Sequence, residues 1–179
     1  LLPVLVERGY TVVCCVRDKN KFHAEGAIKG KIEIIEIDLT QKHTLHKIPY
    51  DIDFAYYLVH SMSTSKDYSE LEKRSAINFR EAINATKTRQ VIYLSGIVNS
   101  QTLSKHLNSR KNVEIELSKG NFPLTTVRAG IIIGSGSASF EIIRDLVEKL
   151  PFMIAPKWLK TKCQPIGISD VITILVGIL

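Results

Sequence analysis

Five apolar runs in this chain each end on a residue with usable chemistry. Thr11–Val16 leads into the guanidinium of Arg17, Ile32–Ile37 into the carboxylate of Asp38, and Phe54–Val59 into the imidazole of His60. Gln90–Leu94 leads into Ser95 and Gly96, and Leu124–Ile133 into Gly134. In an open parallel sheet, ligands bind outside the carboxyl ends of the strands, so these residues are binding candidates before any motif is considered. The loop Gly134-Ser-Gly-Ser-Ala-Ser139 is another candidate, because a Gly/Ser loop entering a helix presents amide protons to an anion. Capping by Ser137 or Ser139 explains the same serines without a ligand. On a helix, His106, Ser109 and Arg110 stand at i, i+3 and i+4 and share one face. An imidazole there exchanges protons near neutral pH, and a guanidinium offers a fixed fork of donors.

Those residues need elements to hold them. Leu1–Arg8 reads as the back half of a helix stopped by Gly9. Thr11–Val16 is continuously apolar and β-branched, as a strand buried on both faces should be. Asn20–Lys29 predicts a short polar helix, Ile32–Leu39 a second strand, and Thr44–Ile48 at most a helical turn. Phe54–Val59 is the third strand. Ser65–Lys87 is a long helix with Tyr68, Leu71, Ala76, Phe79 and Ile83 on one face. Val91–Leu94 is the fourth strand, Ser104–Lys119 a second long helix, and Leu124–Ile133 the fifth strand. Helix Phe140–Leu150, an extended Gln164–Ile168 and a helix from Ser169 complete the pattern. Strands alternating with helices predict an α/β fold: a doubly wound parallel sheet, Rossmann-like, with helices on both faces. The ladder opens on a half-helix, so the first strand and its Gly-rich turn are missing from the chain. Residues 1–150 read as a partial Rossmann-like domain. The proline- and lysine-bearing stretch Pro151–Lys162 marks a boundary, and residues 151–179 start a smaller substrate-side lobe.

A chain of 179 residues suffices for one well-buried domain. Its net charge of +6 tolerates an anionic ligand, but Lys and Arg are scattered, which argues against nucleic acid. The nearest thing to a basic patch is Lys157, Lys160 and Lys162 around Trp158. Cys14 and Cys15 are adjacent on a strand, point to opposite faces and cannot readily pair, and with Cys163 they form no metal-ligand spacing. Buried thiols in a reducing cytoplasm are the expectation. No apolar run reaches the roughly 18–20 residues of a spanning helix. Val171–Leu179 is apolar but short, so membrane association beyond it is left open.

Three segments carry a resemblance: Asp53-Phe-Ala-Tyr-Tyr-Leu-Val-His-Ser-Met62, Arg128-Ala-Gly-Ile-Ile-Ile-Gly-Ser-Gly-Ser-Ala-Ser-Phe140 and Gln164-Pro-Ile-Gly-Ile-Ser-Asp-Val171. The chain resembles the extended and atypical short-chain dehydrogenase/reductases, specifically the YbjT-like, epimerase-like NAD(P)-binding group. The resemblance covers nearly the whole chain. It implies a glycine fingerprint before Leu1 and a carboxyl-terminal part beyond Leu179. It also implies that Arg17 stands at the adenosine ribose, where a guanidinium suits a 2′-phosphate and favours NADP over NAD. Asp18 offers a carboxylate to a ribose hydroxyl instead, and a plain surface arginine is the remaining reading. Asp38 and Leu39 are implied at the adenine, against a simple strand-end turn. Leu58, Val59 and His60 fall beside the cofactor phosphates and ribose. His60 is a departure: it either donates to a phosphate or is a satisfied polar residue at a sheet edge. Asn78 matches the family's supporting helix asparagine, against a solvent-facing one.

The family's catalytic Tyr-x-x-x-Lys pair is replaced by His106-Leu-Asn-Ser-Arg110, and its strand-end serine falls on Gly96 with Ser95 one residue early. His106 as proton shuttle and Arg110 as ribose holder are viable substitutions. The resemblance therefore implies an NADP-dependent (NAD possible) oxidoreductase- or epimerase-like protein acting on an unknown small substrate. The alternative is a non-catalytic NADP-binding redox sensor or assembly factor. A flavin or quinone reductase-like activity, which needs fewer protein acid/base groups, is a third reading.

Overall fold

The structure is a computed structural model and describes residues 1–23, 26–59, 68–97, 104–134, 137–149 and 164–179. Helix α1 (Leu2–Glu7) closes before Gly9, whose φ of +83° is open to a residue without a Cβ. Strands β1 (Val12–Val16) and β2 (Ile32–Glu36) pair in parallel, Val12 beside Ile32 and Val16 beside Glu36. The expected helix between them is instead a pair of 3-10 turns, Lys19–Lys21 and Gly26–Ile28. The segment has no apolar stripe with which to bury a helical face. A further 3-10 turn, Lys42–Lys47, follows β2.

Strands β3 (Phe54–Tyr57), β4 (Gln90–Gly96) and β5 (Leu124–Ala129) form a second parallel sheet with β4 in the middle. Helices α2 (Tyr68–Asn84) and α3 (Lys105–Leu117) cover one face. There Tyr57, Val91 and Tyr93 pack against Ala76, Phe79, Ile83, Val113 and Leu117. Tyr57 meets Phe79 and Tyr93 edge-on, at centroid distances of 4.9 and 5.8 Å. On the opposite face Ile92 packs against Val171 and Leu175 of helix α5 (Ile168–Gly177), and the Tyr56 hydroxyl donates to the Leu175 carbonyl at 2.7 Å. The central strand is thus covered on both sides, as a parallel sheet requires.

The run Leu124–Ile133 is not one strand. It breaks at Gly130, and β6 (Ile132–Ile133) pairs with β7 (Ile166–Gly167). A Cβ at Gly130 would stand 2.2 Å from the Gln164 carbonyl oxygen, so close passage of that backbone explains both the glycine and the break. Helix α4 (Ala138–Lys149) follows. Ser137 Oγ accepts from the Phe140 N–H at 3.4 Å and donates to the Ile132 carbonyl at 2.5 Å, so this serine of the Gly/Ser loop is engaged in a cap. The Ser139 side chain, the Pro151–Lys162 boundary with its lysines and Trp158, and Cys163 lie outside the described residues.

Helix α2 also departs from expectation. Leu71, placed on the apolar face, is 36% exposed, while Glu72 is buried. Lower on the same helix, Arg80 Nη1 donates to Glu116 Oε2 at 3.0 Å and to the Glu116 carbonyl at 3.1 Å. Lys119 Nζ takes Glu116 Oε1 at 2.8 Å. Lys119 first, and then Arg80, hold the Glu116 carboxyl below its ordinary value against the opposing effect of burial. A carboxyl depressed in the folded state contributes stability above its unfolded pKa and loses it as pH falls through the folded value. The urea midpoint should therefore fall more steeply from about pH 6 to about pH 3 in the wild type than in Glu116→Gln. Parallel slopes would show that this clamp carries no acid sensitivity.

Candidate active site

Within each sheet every pairing is parallel, so the residues that close the strands share one edge. Helix α2 ties the two edges together. Arg74 Nη2 donates to the Thr40 carbonyl at 2.7 Å, and Asn78 Nδ2 donates to the Leu39 carbonyl at 2.7 Å. Both carbonyls belong to the turn that closes β2.

Arg17, at the end of β1, is exposed and makes no ion pair among the described residues. Its neighbour Asp18 is occupied: one oxygen accepts from the Asn20 N–H at 3.0 Å and the other stands 3.7 Å from Lys21 Nζ. Asp38 folds its carboxylate into its own turn, Oδ1 accepting from the Thr40 N–H at 2.8 Å and the Thr40 hydroxyl at 2.7 Å. Oδ2 has only a 3.5 Å contact from Gln41. Leu39 is half-buried against the core. Asn78, half-buried, supports this turn rather than facing solvent. Leu58 and Val59, just past β3, are 41% and 53% exposed, an apolar surface at the sheet edge. His60 lies outside the described residues.

At the end of β4, Ser95 is buried; its Oγ lies within reach of the Tyr93 hydroxyl but makes no well-aligned hydrogen bond among the described residues. Gly96 faces the first half of α3, where a Cβ would come 3.1 Å from Leu107 Cδ2 and 3.6 Å from Arg110 Cδ. Arg110 is half-buried, and its carbonyl accepts from the Tyr93 hydroxyl at 3.2 Å. His106 is exposed, its ring 6.2 Å from that of Tyr68. Ser109 separates from these two. Position 109 faces α2, is buried, and its hydroxyl donates to Glu72 Oε2. Packing against α2 divides the face that helical spacing alone makes common.

Sequence reasoning missed Glu72 and Arg74. The available signal for the first was a carboxylate in the stripe 68, 72, 76, 79, 83, where a helix buries its apolar side. Burial pushes up the Tyr57 and Tyr93 phenols, with Glu72 a lesser contribution to each, while the Ser95 hydroxyl and the Arg110 charge partly offset the rise at Tyr93. Burial pushes up both the Cys14 and the Cys15 thiol, the latter to about 11, although the Cys15 residue is exposed, which departs from the expectation of small buried thiols. Among the described residues no cluster could hold a metal ion, and no helix is long and apolar enough to cross a membrane. A cavity of about 380 Å³ between the Lys42–Lys47 turn and α2 is lined in part by Asn78, and one of about 690 Å³ between α3 and β5 in part by Ile97 and Arg128, at the carboxyl ends of β4 and β5. Neither is lined by Arg17, Asp38, Ser95 or His106, so strand-end geometry locates the candidate site.

The architecture is Rossmann-like in fold, short parallel sheets of which the three-stranded one is covered by helices on both faces. Among solved structures it is similar to Bordetella bronchiseptica WbmG, crystallised with NAD and UDP, at a TM-score of 0.75 and 12% identity over 98% of this chain and 62% of that one. It is similar also to WbmH of the same organism in complex with NAD+, at 0.73 and 14% identity over 97% of this chain and 65% of that one. A third is the UDP-glucose 4-epimerase of Thermotoga maritima with UDP-glucose, at 0.68 and 12% identity over 94% and 65%. The chain spans less than two thirds of each of those chains. No family model and no curated protein matches it.

The buried contact between α2 and α3 generates a test. Ser109→Ala removes a donor from a buried carboxylate and should cost about 1–3 kcal/mol in urea unfolding. A double-mutant cycle with Glu72→Gln should return a coupling of about 0.5–3 kcal/mol between the two side chains. A single variant as stable as the wild type would show the contact to be dispensable.

Proposed function

We propose that this chain is the dinucleotide-binding part of an NADP-dependent oxidoreductase- or epimerase-like protein acting on a small carbonyl or hydroxyl substrate, with residues 151–179 opening its substrate-side lobe. The observation that carries this reading is the carboxyl edge of the parallel strands. It presents a spare guanidinium at Arg17, an ordered acidic turn at Asp38, exposed apolar surface at Leu58 and Val59, and a buried hydroxyl without a well-aligned hydrogen bond at Ser95. An anionic, ribose-bearing ligand with an aromatic base uses each of these groups. The likeness in fold to proteins crystallised with NAD supports the same assignment.

A bound nicotinamide supplies hydride transfer. The chain's own residues have the other tasks. With Asp18 occupied in its cap, Arg17 is the strand-end group with donors to spare, and a 2′-phosphate is the anion that suits its fork. Leu39, Leu58 and Val59 form the apolar bed. His106, exposed at the start of α3, gives or takes the substrate proton, and Arg110 holds the nearby ribose.

One observation favours a second reading, dinucleotide binding without turnover. Gly96 stands where the resemblance puts a hydroxyl-bearing side chain, and a Cβ there already crowds Leu107. The full-length protein with NADPH and a panel of carbonyls and quinones separates the two. Turnover abolished by His106→Ala supports the enzyme. Tight binding with no turnover supports the second reading, and no binding of NADPH or NADH overturns both. Arg17→Ala should weaken NADPH at least about tenfold more than NADH, the scale of one charge-assisted contact. Equal losses would remove the case for NADP.

A further inference from the structure

We infer that Arg74, on α2, is a positioning residue for the adenosine half of the dinucleotide, an inference that rests on the dinucleotide-binding reading above. The turn Asp38–Gln41 satisfies much of itself. Asp38 Oδ1 takes the Thr40 N–H and hydroxyl, the Gln41 N–H returns to the Asp38 carbonyl at 2.8 Å, and Thr44 Oγ1 accepts from the Asp38 N–H at 2.9 Å. The carbonyls of Leu39 and Thr40 are held from outside. Asn78 takes the first and Arg74 the second, each at 2.7 Å, across 39 and 34 residues of sequence.

The two donors stand four residues apart, one turn of the same helix, and they grip two successive carbonyls. One such bond leaves the turn free to pivot about it; two fix its orientation. Their anchor is firm, because α2 is itself held to α3 through Glu72–Ser109 and Arg80–Glu116. Arg74 is exposed and pairs with no carboxylate among the described residues. It serves the turn rather than an ion pair, and little of the core depends on it. A turn ordered before the ligand arrives spares the ligand the cost of ordering it. Arg74 itself does not touch the ligand; it sets the aim of the Asp38 carboxylate and of Leu39, which do.

The test uses the full-length protein with two probes, NADPH and adenosine 2′,5′-bisphosphate, which lacks the nicotinamide. Arg74→Ala should weaken both by a similar factor of about ten, the scale of the ordering cost the ligand would then have to meet. Its thermal midpoint should shift by less than about 2 °C, as for an exposed site. Arg74→Lys, which keeps one charged donor, should restore much of the affinity. Unchanged affinity in Arg74→Ala overturns the inference, as does weakened NADPH with unchanged bisphosphate, or a loss that merely follows a collapse of the thermal midpoint. Failure of the wild type to bind either probe overturns the dinucleotide reading, and this inference with it.

Discussion

Glu72 is a carboxylate at 5% exposure, on the helix face that packs over Tyr57 and Tyr93, and the arrangement around it follows from satisfying it. A buried charge without donors costs several kcal/mol, far more than an exposed ion pair returns. The Ser109 hydroxyl answers it from α3. That contact sets the register of the two helices: with 72 opposite 109, Tyr68 meets His106 one turn above and Arg80 meets Glu116 two turns below. Exposed pairs such as Lys42–Glu81 and Lys149–Asp145 have no comparable hold on geometry.

Register matters for the site because α2 has work on two sides. One side presents Glu72 and Arg80 to α3, and so governs where His106 and Arg110 stand relative to the end of β4. The other presents Arg74 and Asn78 to the turn after β2. The adenosine-side and reaction-side candidates, far apart in sequence, are therefore referred to one rigid rod. Fold alone does not define the reaction, since one architecture hosts many chemistries. At 12–14% identity to its structural neighbours, the reading of this chain rests on its own side chains.

Much of the ladder was legible because parallel strands are apolar runs, although β1, expected to be buried on both faces, and β2 hold no fully buried residue. Val12–Val16, Ile32–Glu36, Phe54–Tyr57 and Gln90–Gly96 all lie within or beside the stretches read that way. The errors share one cause, a neighbour that composition does not reveal. Leu124–Ile133 looks like one strand until the Gln164 backbone passes Gly130. Leu71 looks buried until Glu72 finds Ser109.

By itself, the sequence determined the alternation of strand and helix and the chemical types waiting at the strand ends: Arg17, Asp38, Ser95 and Gly96. These depend on local periodicity and chain direction, which short-range sterics and burial pattern dictate. Only the tertiary structure decided which of those groups are already committed and which remain available. Asp18 and Ser109 are held in internal contacts, while Arg17 makes no ion pair and the Ser95 hydroxyl makes no well-aligned hydrogen bond among the described residues. A hydrogen bond needs its two atoms within about 3 Å of each other. Which atoms meet at that distance, across the 34 to 39 residues that separate Thr40 from Arg74, Leu39 from Asn78 and Glu72 from Ser109, is settled by packing and not by order along the chain.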